Sequence, residues 1–241
     1  MRLPTIQGII KRRILVNFRA DANVIQQILP AQFRPKLHDG RAIAGICLIR
    51  LEQMRPKFAP EFVGISSENA AHRIAVLWDE NGATREGVFI PRRDTGSALN
   101  HLVGGTIFPG EAHKATFTVE ETGGAIDFAM RSDDRNVAIE FEGKNAEELP
   151  ETSVFPSLAA ASNFFEPGAF GFSATSDAHR LDGVMLQTKE WRVDALDLSF
   201  VRSSFYDDTN IFPSGSIEFD HALVMRNIKH EWHSTPSFEL K

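Results

Sequence analysis

Several things are scarce in this chain, and each scarcity closes off a class of protein. There is one cysteine, Cys47, so no internal disulfide framework is available, and its place in an apolar run reads as a buried thiol. No stretch of about 18 apolar residues occurs, so a transmembrane helix is not expected. Residues 1–8 lack the apolar core of a secretory signal, and the expected location is the cytoplasm. Basic blocks are missing too. With 26 Lys and Arg against 32 Asp and Glu the net charge is −6, which argues against nucleic acid and anionic membrane as partners. No G-x-S-x-G elbow, P-loop or G-x-G-x-x-G run appears, so serine hydrolase, nucleotide and dinucleotide functions have no support, and no cofactor is implied. One Tyr stands against 19 Phe, a sign that the aromatics fill a core.

What is present is a succession of strand patterns with few helices. Ile14, Val16 and Phe18 alternate on one face of a strand over residues 9–19. Asp21 caps a short helix bearing Val24, Ile25, Ile28 and Leu29, which Pro30 stops. Residues 42–51 are almost continuously apolar, the mark of a strand covered on both faces. Residues 53–65, with Pro56 and Pro60, read as an irregular connection. Residues 94–97 offer a cap for a helix over 98–103. An antiparallel meander follows over 112–120, 125–131 and 137–142, reversed at Gly123-Gly124 and Asp133-Asp134. A helix over 156–165 precedes strands over 184–193, 195–206 and 216–232. Strands spaced by turns, without internal repeats or long linkers, imply a single mainly β (α+β) domain spanning 1–241. Its curved antiparallel sheets would close into a barrel-like or cone-like body around a cavity.

The richest stretch is residues 66–100. Asn81-Gly82 is the dipeptide that most readily takes a tight hairpin turn between two apolar runs. With those two residues as the turn, Trp78 faces Arg85 and Ala70 faces Arg93. Glu68, His72 and Arg93 then share one face, and Asn69, Arg73 and Arg92 the other. A loop one residue longer or shorter would exchange Arg92 and Arg93, and Pro91 donates nothing to a ladder. A carboxylate, an imidazole and a permanent cation converging at the end of a hairpin suggest a site for a small anion.

These residues also carry a resemblance. Arg85-Glu86, four residues, then Pro91-Arg92-Arg93 resembles the R-E-x-x-x-x-P-K-K segment of acetoacetate decarboxylases, with arginines where that family has lysines. Ser67-Glu68-Asn69-Ala70 resembles the segment that places its pocket glutamate. Residues 13–21, followed by Ile28-Leu29-Pro30, resemble its opening strand and helix. The runs AGICLIRL (44–51), SSENAAHR (66–73), IPRRD (90–94) and the closing segment 218–232 are closer to the domain-of-unknown-function 2071 family, a distant relative of that enzyme. This closer resemblance covers nearly the whole chain. It implies a β-rich fold with an internal pocket.

The family's first paired lysine forms an imine with a ketone substrate. Arg92 matches it, and a guanidinium stays protonated and cannot attack. The expectation is therefore a small oxo or hydroxy carboxylate bound by arginine forks, without Schiff-base decarboxylation. Arg92 and Glu68 would be catalytic, Glu68 moving a proton in a lyase, hydratase or isomerase step. Arg93, His72 and Arg13 would bind the ligand. Arg13 stands for the family's opening-strand arginine, which Lys11 and Arg12 also match. The other readings are a non-catalytic binding or sensing module, and arginines that only cement the fold. His230 and His233 fall on opposite faces of a strand, which argues against a shared metal and for a solvated chain end. Besides the small anion, a second copy of the chain remains a candidate partner.

Overall fold

The computed structural model describes residues 5–97 and 110–240; the helix expected over 98–103 lies outside them. Among the described residues no helix is long and apolar enough to cross a membrane.

The alternating segments form β1 (Ile6–Ala20), β4 (Arg41–Pro56), β5 (Ile65–Glu80), β6 (Ala83–Thr95) and β13 (Ile217–Ser234). These long strands pair antiparallel in the order β13-β1-β4-β5-β6. Two further sets close circuits on that wall. The meander β7 (His113–Thr122), β8 (Ala125–Ser132) and β9 (Ala138–Ala146), with β12 (Asp194–Ser203), joins β6 back to β13 as one ring. On the other side β10 (Phe170–Ala174) and β11 (Arg180–Thr188) join the same two strands as a smaller ring. The fold is thus one sheet closed twice, which removes most free edges. Short pairings of β2 (Arg34–Pro35), β3 (Leu37–His38) and β14 (Phe238–Glu239) complete it.

Period-two alternation sends successive wall residues into different cores. Ile14, Val16, Ile46, Leu48 and Ile74 pack with Phe128, Ile139 and Phe141 on the larger-ring side. Leu15, Ile43, Ile49 and Ala75 pack on the other side with Phe155, Ala161 and Phe165. The last two belong to α2 (Leu158–Phe165), capped by Ser157 accepting from the Ala160 N–H. The other helix, α1 (Ala22–Ile28), begins where Asp21 accepts from the N–H groups of Asn23 and Val24.

Three expectations need correction. The pairing is mixed, because β6 runs parallel to both β7 and β10. The irregular connection expected at 53–65 is shorter than read: β4 continues to Pro56 and β5 begins at Ile65, which leaves residues 57–64 as turns and a 3-10 turn over Glu61–Val63. Asp94 and Thr95 are the last residues of β6, and the helix that 94–97 were expected to cap lies outside the described residues. His230, read as part of a solvated end, is buried in β13.

The hairpin register changes partway along. Asn81 and Gly82 both take left-handed backbone, and Trp78 does face Arg85. Between Ile74 and His72 the ladder slips by one, so Ala71 faces Arg93 and Ala70 faces Asp94. The extra residue falls at Ile90-Pro91, where proline cannot donate and a bulge costs least. Val88, Ile90, Arg93 and Thr95 therefore look into the smaller ring, whereas Arg92 looks out of it.

Candidate functional site

Every strand of the smaller ring contributes to a cavity of about 100 Å³, a size for a small metabolite rather than a drug-sized ligand. Apolar walls come from Ile49, Val88, Ile90, Val184, Leu186 and Trp232. Two glycines let β10 close the ring. A Cβ on Gly87 would lie 2.5 Å from the Phe170 carbonyl oxygen, and one on Gly171 would crowd Ile90 at 3.3 Å.

Across the wall, three neighbouring pairs of basic residues divide in the same way. Arg12, His72 and Arg92 lie on the larger-ring side, and Arg13, Arg73 and Arg93 line the cavity. On the larger-ring side each group is compensated or neutral. Arg12 donates to Glu68 at 2.8 Å and also pairs with Glu121. Arg92 bonds Asp94 at 2.8 Å and Asp134 at 2.9 Å. His72 is fully buried, sits against the Phe205 ring and approaches Ser203 Oγ at 3.3 Å. Burial, with Arg92 nearby, drops its pKa to about 3, so it is neutral at pH 7.

The cavity-side cations lack such partners. Among the described residues no carboxylate lies within 4.0 Å of Arg13, Arg73 or Arg93. Asp94 borders the cavity, but its carboxylate is held by Arg92. Arg93 Nε donates to Ser173 Oγ at 2.8 Å, and Arg13 Nε to Cys47 Sγ at 3.2 Å. Burial pulls the pKa values of Arg73 and Arg93 down to about 10. Both remain charged at neutral pH, and uncompensated buried charge is costly unless something anionic enters.

Arg73 is aimed by a buried chain of polar groups. Its Nη2 donates to Asn17 Oδ1, and Asn17 Nδ2 meets His221 Nε2 at 3.0 Å. His221 Nδ1 lies 2.6 Å from Asp220 Oδ1. The directions fix the tautomer: Asn17 donates, so Nε2 accepts, and Nδ1–H donates to the carboxylate. Asp220 in turn accepts from Ser153 Oγ and the Val154 N–H. A negative charge three hydrogen-bonded groups away orients Arg73 without neutralising it locally.

The sequence-derived candidates thus divide. Arg13 and Arg93 line the cavity. Arg92, Glu68 and His72 face away from it, and the physical reason is the slip at Pro91 together with strict alternation along β5. Burial raises the Glu68 pKa, with the neighbouring Arg12 and Arg50 opposing. Its nearest partners are structural: Glu68→Gln is expected to lower stability by about 1–3 kcal/mol and leave ligand affinity unchanged, as denaturation and calorimetry would show. Arg73 and Cys47 were not singled out as site residues. The alternation of AGICLIRL and of SSENAAHR carried their facing, but nothing local showed which face would be enclosed.

A family profile described as an uncharacterized conserved protein, DUF2071, matches residues 10–198. The chain belongs to the DUF2071 family. No curated protein matches this DUF2071 member in sequence. Its fold is that of acetoacetate decarboxylase-like proteins. An acetoacetate decarboxylase-like enzyme from Sphingomonas wittichii superposes with a TM-score of 0.62 at 14% identity, covering 98% of this chain and 92% of that one. Acetoacetate decarboxylase from Legionella pneumophila gives 0.59 at 10% identity, with 98% and 89% covered. The enduracididine biosynthesis enzyme MppR, in a complex with pyruvate, gives 0.57 at 13% identity, with 98% and 90% covered.

Proposed function

We propose that this DUF2071 protein holds a small oxo or hydroxy carboxylate in the smaller ring and acts on it by a lyase, hydratase or isomerase step that needs no imine. The observation carrying this reading is the set of three cavity arginines without a carboxylate in reach. A planar guanidinium binds a carboxylate through two parallel N–H···O bonds, and apolar walls strengthen that attraction by excluding water. The pyruvate complex of MppR supports the ligand class by analogy. The imine route lacks its nucleophile. Every lysine except Lys241 is among the described residues, and none lines the cavity.

A second reading, a non-catalytic binding or sensing module, is favoured by one observation. Among the described residues that line the cavity there is no histidine or glutamate, and the one carboxylate, Asp94, is held by Arg92.

Thermal unfolding with pyruvate, lactate, acetoacetate and the neutral ester methyl pyruvate tests the reading. An acid at 100 times its Kd stabilises by about 2.7 kcal/mol, and the ester is expected to give almost nothing. No shift with any acid, or an equal shift with the ester, would remove the anion site. Borohydride in the presence of acetoacetate is expected to trap no adduct. Turnover of a bound acid would select the enzyme over the sensor.

A further inference from the structure

Cys47 occupies a position that the carboxylate reading does not use. It sits in the middle of β4 between Ile46 and Leu48, both fully buried, yet retains partial exposure, and it lines the cavity. In the sheet Cys47 faces Ala71 and Ala71 faces Arg93, so the three form one row across β4, β5 and β6. The alanine methyl between them leaves the floor open from sulfur to guanidinium. Arg13, one diagonal away on β1, donates to Sγ at 3.2 Å. Arg73, the diagonal neighbour on β5, is 3% exposed, has an Nε without a hydrogen-bond partner and borders the same space. Thus a thiol stands among three cations that have no carboxylate partner among the described residues. Such surroundings place the sulfur beside whatever acid the arginines bind.

We propose that Cys47 is the nucleophile of this cavity, acting on an acid whose electrophilic carbon adjoins the carboxylate, a 2-oxo acid being the simplest class. The proposal rests on the carboxylate reading given above. In the step, Sγ forms a bond to the carbonyl carbon and the C=O π pair moves onto oxygen. The proton leaving the thiol ends on that oxygen. The product is a hemithioketal, formed reversibly and without oxidant or reductant. Arg93 holds the carboxylate, and the guanidinium of Arg13 or Arg73 faces the oxygen as it becomes negative. The cysteine would take the nucleophile's part that an amine takes in imine-forming relatives.

The test compares two alkylating agents that differ in charge. Both form an S–C bond with loss of iodide, but only iodoacetate carries the carboxylate that the arginines would capture. Iodoacetate is expected to modify Cys47 at least about tenfold faster than iodoacetamide, the gain that a cleft of one charge gives an oppositely charged reactant. Saturating pyruvate should protect the thiol. Arg93→Gln should bring the two rates together, and Cys47→Ser should take up no label. With pyruvate carrying carbon-13 at its carbonyl, the wild type should show a tetrahedral carbon resonance that Cys47→Ser lacks. If pyruvate raises Tm but iodoacetate has no advantage and the resonance is absent, the acid site stands and the nucleophile is refuted. If pyruvate also leaves Tm unchanged, both ideas fall together.

Discussion

Replacing Arg93 with methionine is expected to stabilise the empty protein while removing its affinity for small acids. The guanidinium has one hydrogen-bond partner, Ser173, and no counter-ion among the described residues. Exchanging a partly buried, uncompensated charge for a hydrophobic group of similar length relieves its desolvation, a gain of about 1–2 kcal/mol at the lower end of what such replacements give. For a chain of this size that is a rise in Tm of roughly 2–8 °C. Binding should move the other way. Losing a charge-assisted anchor costs about 2–5 kcal/mol, or about 30-fold to several thousand-fold in Kd. The linkage has a definite sign. Burial holds the folded-state pKa near 10, below a guanidinium's ordinary value, so the penalty is fully present below pH 10 and fades as pH rises past it. Differential scanning calorimetry and titration with pyruvate would check both halves. A methionine variant that melts lower and binds unchanged would make Arg93 a packing residue and dissolve the site.

Acid should unfold this protein through its buried imidazoles. His72 and His230 have pKa values lowered by burial from 6.5 to about 3 and about 4, with Arg92 adding to the first and Arg13 to the second. Burial lowers His221 as well. In the unfolded chain each takes a proton near pH 6.5; in the folded chain it resists. The stability they contribute is therefore complete above pH 6.5 and lost as pH falls toward 4 and 3. Going from pH 7 to 4.5 costs about 2.7 kcal/mol per histidine, two units at 1.36 kcal/mol each. Two such groups approach the low end of a domain's whole stability, about 5 kcal/mol. Urea midpoints measured between pH 4.5 and 7.5 should fall accordingly. His72→Leu should flatten the slope near pH 5 by about one proton's worth, 1.4 kcal/mol per pH unit. An unchanged slope in that variant would mean that His72 titrates in the folded state.

Most of the wall is legible in the sequence, and the reason is local. Ile14, Val16 and Phe18 alternate, Asn81-Gly82 dictates its turn, and Asp21 caps the helix after it. Each signal involves residues within a few positions of one another. The elements that were not legible depend on distant partners. β10 is five residues that include Phe170, Gly171 and Phe172, too short and glycine-marked to read as a strand, yet it closes the ring that holds the cavity. Its parallel pairing with β6 has no counterpart in turn chemistry. The slip at Pro91 was visible as a weakness in the ladder but not as a direction, and it decides that Arg93 lines the cavity while Arg92 joins Asp94 and Asp134. The absence, among the described residues, of counter-ions around Arg13, Arg73 and Arg93 is a statement about what does not come near them. No reading of neighbours along the chain could have supplied it.

The division of each basic doublet between two compartments bears on how such a protein can change over time. At 12–13 and 92–93 adjacent codons answer to different demands, one to the ion pairs of the body and the next to the lining of the cavity. A substitution at position 13 or 93 changes the cavity lining while the ion pairs of Arg12 and Arg92 stay intact, and under the proposed function it is expected to change which acid is bound. A scaffold wired in this way can try new ligands one nucleotide change at a time, without first having to relearn how to fold.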